Sequence, residues 1–303
     1  MQALKAKVFI SCGQRRDTEE VEVARAIAKV LEDLGFDPYI AIQEQTLRGL
    51  KENIFSQLTT SEYFLFVDFP REKFADSSER RGSLFSHQEL AIASYLDLPV
   101  IAFQQKGVKP LDGMLGILQA NAVPFDDAKK LPEMVRQQVN KAGWRADWKN
   151  ALAIRRTPAE FDDARIVNQP GQPNARFFHL TVENLNPYKP AVNCTAYVEG
   201  IRDLRTNLPV AFRTAELKWA GYVLPSVAIM PASSRELDAF FVLHDNPLIM
   251  HFNCFTDSGY FMRPICGPGQ FRLDYLIVSE NFPQARISVT ATVGNTIADA
   301  TLA

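Results

Sequence analysis

The stretch Tyr63-Phe-Leu-Phe-Val-Asp-Phe69 is apolar on both of its faces. A strand that meets water on one side alternates; one covered by helices on both sides does not, and such strands belong to parallel sheets. The flanking sequence supplies the other elements. Lys7-Val-Phe-Ile-Ser11 reads as a first strand and Cys12–Arg16 as the loop after it. Asp17 or Thr18 can cap a helix running to about Leu34, with Glu19, Glu20 and Glu22 near the positive end of its dipole. Val23, Ile27, Val30, Leu31 and Leu34 form its core stripe, and Gly35 ends it. Phe36–Ile42 is a second strand, Gln43–Gly49 a loop, and about Leu50–Thr60 a second helix. After Tyr63–Phe69 come a long polar loop, Arg71–Gly82, a helix starting near Ser83 and a fourth strand, Val100–Phe103. Ala122–Phe125 reads as a short fifth strand. A helix over Leu131–Lys141, with Trp144 and Trp148 packed beneath it, closes the unit.

Strands alternating with helices predict a doubly wound α/β domain with a parallel sheet over residues 1–150. Ligands bind such sheets outside the carboxyl ends of the strands. Cys12–Arg16, Gln43–Gly49, Asp68–Gly82 and the start of the Ser83 helix all fall at that edge. Glu89 lies early in this helix, whose apolar side is supplied by Leu90, Ala93 and Leu96–Leu98. A carboxylate presented at the mouth of a sheet can hold a hydroxyl or stabilise a cation, so Glu89 is the leading catalytic candidate. The first strand is followed by neither a G-x-G-x-x-G turn nor a Walker-type lysine loop, which disfavours a conventional dinucleotide or P-loop site.

The pattern changes in the second half. Residues 151–175 read as a linker, ending in Asn168-Gln-Pro-Gly-Gln-Pro-Asn174. From 176 to 303 about eight strands are expected: around Phe178–Val182, Val192–Val198, Leu217–Trp219, Ser226–Ile229, Phe240–Leu243, Leu248–Phe255, Phe271–Val278 and Ile287–Val293. An all-β, immunoglobulin-like sandwich is the expectation. Cys194, Trp219 and Cys254 fall in an immunoglobulin-like order, but Phe252 stands where that fold places a tyrosine. The two cysteines are expected to face a common core as thiols. His179, His244 and His251 fall on separate strands or loops, and this half carries no catalytic pattern.

Net charge is −2, balanced in both halves, without a basic stripe, so a nucleic-acid partner is not expected. No apolar run approaches the ~18 residues of a membrane span. Met1–Lys7 lacks a signal-like apolar region, which predicts a cytoplasmic protein. The four cysteines, Cys12, Cys194, Cys254 and Cys266, form no C-x-x-C pair, and no metal site is expected.

The order and spacing of five segments resemble the TIR (Toll/interleukin-1 receptor-like) domain over roughly residues 5–145. Val8-Phe-Ile-Ser11 looks like its opening strand and Gly35-Phe36 with Tyr39-Ile40 like its second. Gln43–Gly49 sits at its BB loop and Tyr63–Val67 at its third strand. Phe85-Ser-His-Gln-Glu-Leu90 looks like its W-x-x-x-E-L segment, with Phe85 in place of the usual Trp. Many members cleave NAD at the nicotinamide–ribose bond through the glutamate of that segment, so the resemblance implies a flavodoxin-like fold, NAD as substrate and a catalytic Glu89. It implies a wall built by Ser11, Cys12, Arg15 and Arg16, with an arginine able to meet the pyrophosphate. Phe9, Tyr39 and Phe85 could contact a base or ribose, and Ser83 lies at the site's edge. The family usually completes its site between protomers, which implies self-association. Chains of this layout resemble anti-phage effectors, with the β-sandwich sensing a protein or ligand trigger. The product would be linear or cyclic ADP-ribose.

Plainer readings stand beside these. Glu89 can be a helix-start acid paired with the dipole, Cys12 a packing thiol, and Arg15 and Arg16 solvated loop charges. His87, two residues before Glu89, points away from it and reads as surface or loop support. Asp68 reads as a cap for the following loop more than as a ligand for a hydroxyl. Two other functions remain open: a non-catalytic TIR adaptor, and a nucleoside deoxyribosyltransferase-like enzyme, echoed by Glu89-Leu-Ala-Ile-Ala and Pro99-Val100.

Overall fold

A computed structural model describes residues 4–13, 19–41, 54–75, 78–119, 121–157, 164–167, 175–254 and 265–303, with 164–167 and 265–266 described by their backbone. The chain divides into two compact units, Met1–Lys149 and Asn150–Ala303.

In the first unit, β1 (Lys7–Cys12), β2 (Asp37–Ile40), β3 (Tyr63–Asp68), β4 (Val100–Gln105) and β5 (Val123–Phe125) form a parallel sheet in the order β2-β1-β3-β4-β5. The helices are α1 (Glu20–Asp33), α2 (Leu84–Tyr95), α3 (Met114–Ile117) and α4 (Leu131–Ala142); residues 54–59 are also helical. Side-chain alternation along the strands divides the core in two. Val8, Ile10, Leu65 and Val67 pack with Ile27 and Leu31 of α1 and Val135 and Val139 of α4. Phe9, Phe64, Phe66 and Ala102 pack with Leu90 and Ala93 of α2 and Leu115 of α3. Ser11 lies on the same face as Phe9, and Asp68 on the same face as Phe66, each at the carboxyl end of its strand. Trp144 stacks on Tyr63 at 4.3 Å, and the Tyr63 hydroxyl accepts from Trp148 Nε1 at 2.9 Å.

The second unit contains, in chain order, β6 (Leu152–Arg156), β7 (Ala164–Val167), β8 (Ala175–Asn184), β9 (Ala191–Asp203), β10 (Leu208–Pro209) and β11 (Val227–Ile229). Then follow β12 (Ser234–Leu243), β13 (Ile249–His251), β14 (Ile265–Cys266), β15 (Gly269–Val278), β16 (Ala285–Val293) and β17 (Thr301–Leu302). One six-stranded sheet runs β10-β9-β15-β16-β17 with β11 on β9; the other runs β14-β13-β12-β8-β6 with β7 on β8. Their inner faces share one core, including Phe178, Leu180, Phe240 and Val242 from one sheet and Ala196, Leu273, Tyr275 and Val289 from the other. Cys194, Trp219 and Cys254 lie in that core, and both cysteines are free thiols. The buried Tyr275 hydroxyl donates to Ala239 O at 3.0 Å, tying the sheets together.

The expected fold class, a doubly wound α/β domain followed by an immunoglobulin-like sandwich, is corrected. The described chain is mainly β, with twelve of its seventeen strands beyond residue 150, in two antiparallel sheets of six. An immunoglobulin-like domain has roughly seven to nine strands. The difference has a physical source. Strands β10, β14 and β17 are two residues long, too short for alternation to register. The segment 151–175 is also not a connector throughout, because β6 and β7 both pair with β8. Its charges face outward there: Arg155 meets Glu183 at 3.4 Å, and Arg156 donates to Leu302 O at 2.9 Å.

Candidate functional site

The strand order reverses direction between β1 and β3, where an open parallel sheet leaves a crevice beyond its carboxyl ends. Three neighbouring strands end in polar residues there: Ser11 on β1, Asp68 on β3 and Gln104 on β4, with Asp68 and Gln104 directly in register. The first half of α2 lies over them.

Glu89 reaches β1 from α2. The fully buried Ser11 hydroxyl donates to its Oε2 at 2.5 Å. The residue is half-buried. Burial pushes its carboxyl up from 4.5 to about 7, against the opposing pull of the Ser11 hydrogen bond. It therefore exchanges its proton near neutrality, which suits a residue that must be charged for one step and cheap to neutralise at another.

A second carboxylate holds α2 in place. Asp68, fully buried, accepts from Ser83 N at 3.1 Å and from Gln104 Nε2 at 3.2 Å, and its Oδ2 lies 3.3 Å from His87 Nε2. His87 Nδ1 accepts the Met114 N–H of α3 at 3.3 Å, which directs the Nε2 proton to Asp68. The imidazole packs edge-on against Phe66 at 5.2 Å. Ser83 is the N-cap of α2, its Oγ accepting from Ser86 N at 3.5 Å. A side chain at Gly82 would collide with the Asp68 carboxylate, so a glycine is needed where the chain passes over it.

Beside this cluster, Arg71 grips Glu20 through two hydrogen bonds of 2.5 and 2.7 Å. Glu20 thus turns inward at the start of α1 instead of standing free at the helix dipole. The buried Cys12 thiol is pushed up to about 12, by burial first and the Glu20 carboxylate second. It is a protonated packing group, not a nucleophile.

The structure brings Ser11 and Glu89 together, with Cys12 behind them on the opposite face of β1. It keeps other expected contacts apart. Phe9 is wholly buried, stacked at 5.6 Å on Phe64 and 5.4 Å from Tyr39, and cannot touch a ligand. Tyr39 is half-buried against it. Phe85 is 64% exposed, and Ser83 serves as a cap. Arg15, Arg16 and the loop Gln43–Gly49 lie outside the described residues. His87, expected at the surface, is buried. It points at Asp68. The register of β3 against β4, which makes Asp68 an anchor, leaves no local trace in the sequence.

In the second unit, the buried His179 places Nε2 at 3.3 Å from Asp238 Oδ1, and Asn253 donates to Asp238 Oδ2 at 2.7 Å. Among the described residues no cluster of three His, Cys, Asp or Glu side chains could hold a metal ion, and no helix is long and apolar enough to cross a membrane.

No family model and no curated protein matches the chain. Similar solved structures include a family 123 glycoside hydrolase from Clostridium perfringens, at 8% identity over 48% of this chain and 28% of that one, with a TM-score of 0.28. A GH3 β-glucosidase from Bifidobacterium adolescentis is 11% identical over 95% of this chain and 49% of its own, with a TM-score of 0.24. The alkylpurine DNA glycosylase AlkC from Pseudomonas fluorescens is 14% identical over 88% and 63%, with a TM-score of 0.21. The chain spans little more than a quarter of the first. At these scores none carries an argument about architecture or activity.

Proposed function

We propose that the first unit is a TIR-like enzyme that cleaves NAD between nicotinamide and ribose, with Glu89 as its catalytic residue. One observation carries this reading: a half-buried carboxylate, fixed by the Ser11 hydroxyl at the carboxyl edge of a parallel sheet and poised near neutrality. Nicotinamide leaves with the electron pair of the glycosidic C–N bond and becomes neutral, so it needs no general acid. The ribose left behind is oxocarbenium-like. The ionised Glu89, in a site where burial weakens screening, stabilises that charge and can hold a ribose hydroxyl. Water then adds to the anomeric carbon and releases a proton, giving ADP-ribose; capture by a group of the adenine ring would give the cyclic product.

Because the ionised form is required, activity should rise with pH through about 7. The test is nicotinamide release from NAD at high protein concentration, wild type against Glu89→Gln. Release by the wild type with a rising limb near neutrality, abolished in the variant, supports the reading. Equal release by both removes it.

An adaptor reading is favoured by one feature. Helix α2 exposes Leu84 (70%), Phe85 (64%) and Tyr95 (88%), apolar side chains of the kind that assembly covers. Loss of assembly without loss of any turnover on replacing these residues would favour it.

A further inference from the structure

The excursion between β3 and α2 is built from backbone pairs. Arg71 N donates to Arg81 O at 2.7 Å and Arg81 N to Glu72 O at 2.8 Å, and Lys73 bridges Arg80. Arg80 N donates in turn to Gly107 O at 2.8 Å, and Lys109 N donates to Arg80 O at 2.9 Å. These bonds fix the places from which six cations rise at this edge: Arg71, Lys73, Arg80, Arg81, Lys106 and Lys109. Two are neutralised, Arg71 by Glu20 and Lys106 by Asp126 at 2.7 Å. Arg80 donates to Arg71 O at 3.2 Å. Arg81 and Lys109 are different. Among the described residues neither has a carboxylate partner, yet both are held, each with its charged centre 5.2 Å from the centre of the same Phe74 ring. The two charges therefore lie no more than twice that distance apart.

Their position relative to Glu89 follows from the same network. Gln104 donates to Asp68 at 3.2 Å and to Lys109 O at 3.4 Å, while Asp68 fixes Ser83, two residues after Arg81. Lys109 and Arg81 thus flank the β3–β4 side of the crevice. Glu89 reaches from α2 to Ser11 on β1, the strand that neighbours β3 on its other side. Two cations held over one ring, without a carboxylate partner among the described residues, on the β3–β4 side of a crevice whose β1 side carries a carboxylate suit a ligand with a cationic centre at one end and phosphate at the other.

We propose that Arg81 and Lys109 form a phosphate-binding clamp that takes the diphosphate of the substrate while Glu89 meets its ribose. This rests on the dinucleotide reading above, and it moves phosphate recognition from Arg15 and Arg16 to the Arg71–Gly82 excursion. The shared ring holds both cations in place before the ligand arrives, so less side-chain freedom is lost on binding.

The experiment is calorimetric titration of the full chain, in a Glu89→Gln background, with ADP-ribose, inorganic pyrophosphate and adenosine. The expected result is binding of ADP-ribose and pyrophosphate that Arg81→Gln/Lys109→Gln weakens at least about tenfold, the loss of one charge-assisted hydrogen bond, with adenosine unaffected. The charge-preserving pair Arg81→Lys/Lys109→Arg should keep more of the affinity than the glutamine pair, which separates loss of charge from loss of fold. Unchanged ADP-ribose affinity in the glutamine pair, or no binding of either phosphate ligand to the parent, overturns the clamp. Cation-dependent ADP-ribose binding by a protein that releases no nicotinamide would retain the clamp and remove the NAD-cleaving reading.

Discussion

Replacing Glu89 by glutamine should stabilise the protein, and only at pH values where the acid is charged. The folded protein holds a proton on Glu89 between its ordinary value of 4.5 and about 7, a range in which the unfolded chain has released it. The stability contributed by that proton is fully present below 4.5 and is lost as the pH rises through 7. Above 7 the charged carboxylate sits in a site that burial has made unfavourable for it. The gap between 4.5 and about 7 corresponds to roughly 3 kcal/mol at ~1.4 kcal/mol per pH unit. Glutamine removes the charge and keeps an oxygen that can accept from Ser11, but its amide needs a partner of its own, which costs about 1 kcal/mol. The net expectation is a gain of about 1–3 kcal/mol at pH 8 and a loss of up to about 1 kcal/mol at pH 4.5, where only the cost of the amide is left. Urea unfolding at the two pH values, followed by tryptophan fluorescence, reads this as a midpoint raised at pH 8 and not raised at pH 4.5. An equal shift at both values, or destabilisation at pH 8, would refute the argument that burial sets the Glu89 proton.

Ser11→Ala removes the hydrogen bond that opposes the effect of burial on Glu89. The rising limb of the pH–activity profile should move to higher pH, and an unmoved limb would show that Ser11 does not govern the carboxylate. Asp68→Asn leaves three donors, from Ser83, Gln104 and His87, without their carboxylate in a fully buried position. The expected cost is about 2–4 kcal/mol, measurable as a lowered thermal midpoint, and a cost below about 0.5 kcal/mol would contradict the anchoring role.

How much of this was legible in the sequence varies residue by residue. Ser11 and Glu89 could be placed at one edge because strand alternation and helix start signals are local. Asp68 could be read as a cap, and it does fix the N-cap of α2. Its bond to Gln104 depends on pairing between strands more than thirty residues apart, which local periodicity does not record. His87 was misplaced for a different reason. Helix α2 carries Leu84, Phe85, Leu90, Ile92 and Tyr95 on several faces, so no single apolar stripe marks the side that meets the sheet. Phe9 shows the converse: its alternation with Ser11 correctly gives the face, but two residues further from the strand end is already deep core. In the second unit, alternation revealed the long strands and missed the two-residue ones, which exist because neighbouring strands supply their hydrogen bonds.

The uneven exposure of α2 bears on how its glutamate is held. Its first turn docks through polar contacts, with Asp68 taking Ser83 N and His87, while Leu84 and Phe85 project to solvent. Apolar burial, which would tolerate small shifts, begins only at Leu90. Glu89 therefore sits where the helix passes from a directional anchor to an apolar one. A hydrogen-bonded anchor around a buried charge is costly to satisfy in part, so it holds a narrow geometry. That is what a carboxylate kept away from its preferred solvent requires: the roughly 3 kcal/mol that burial charges against Glu89 above neutrality would otherwise be relieved by tilting the helix start outward. Asp68 and His87 oppose that tilt, and through them the end of β3 determines how far the catalytic candidate on α2 is desolvated.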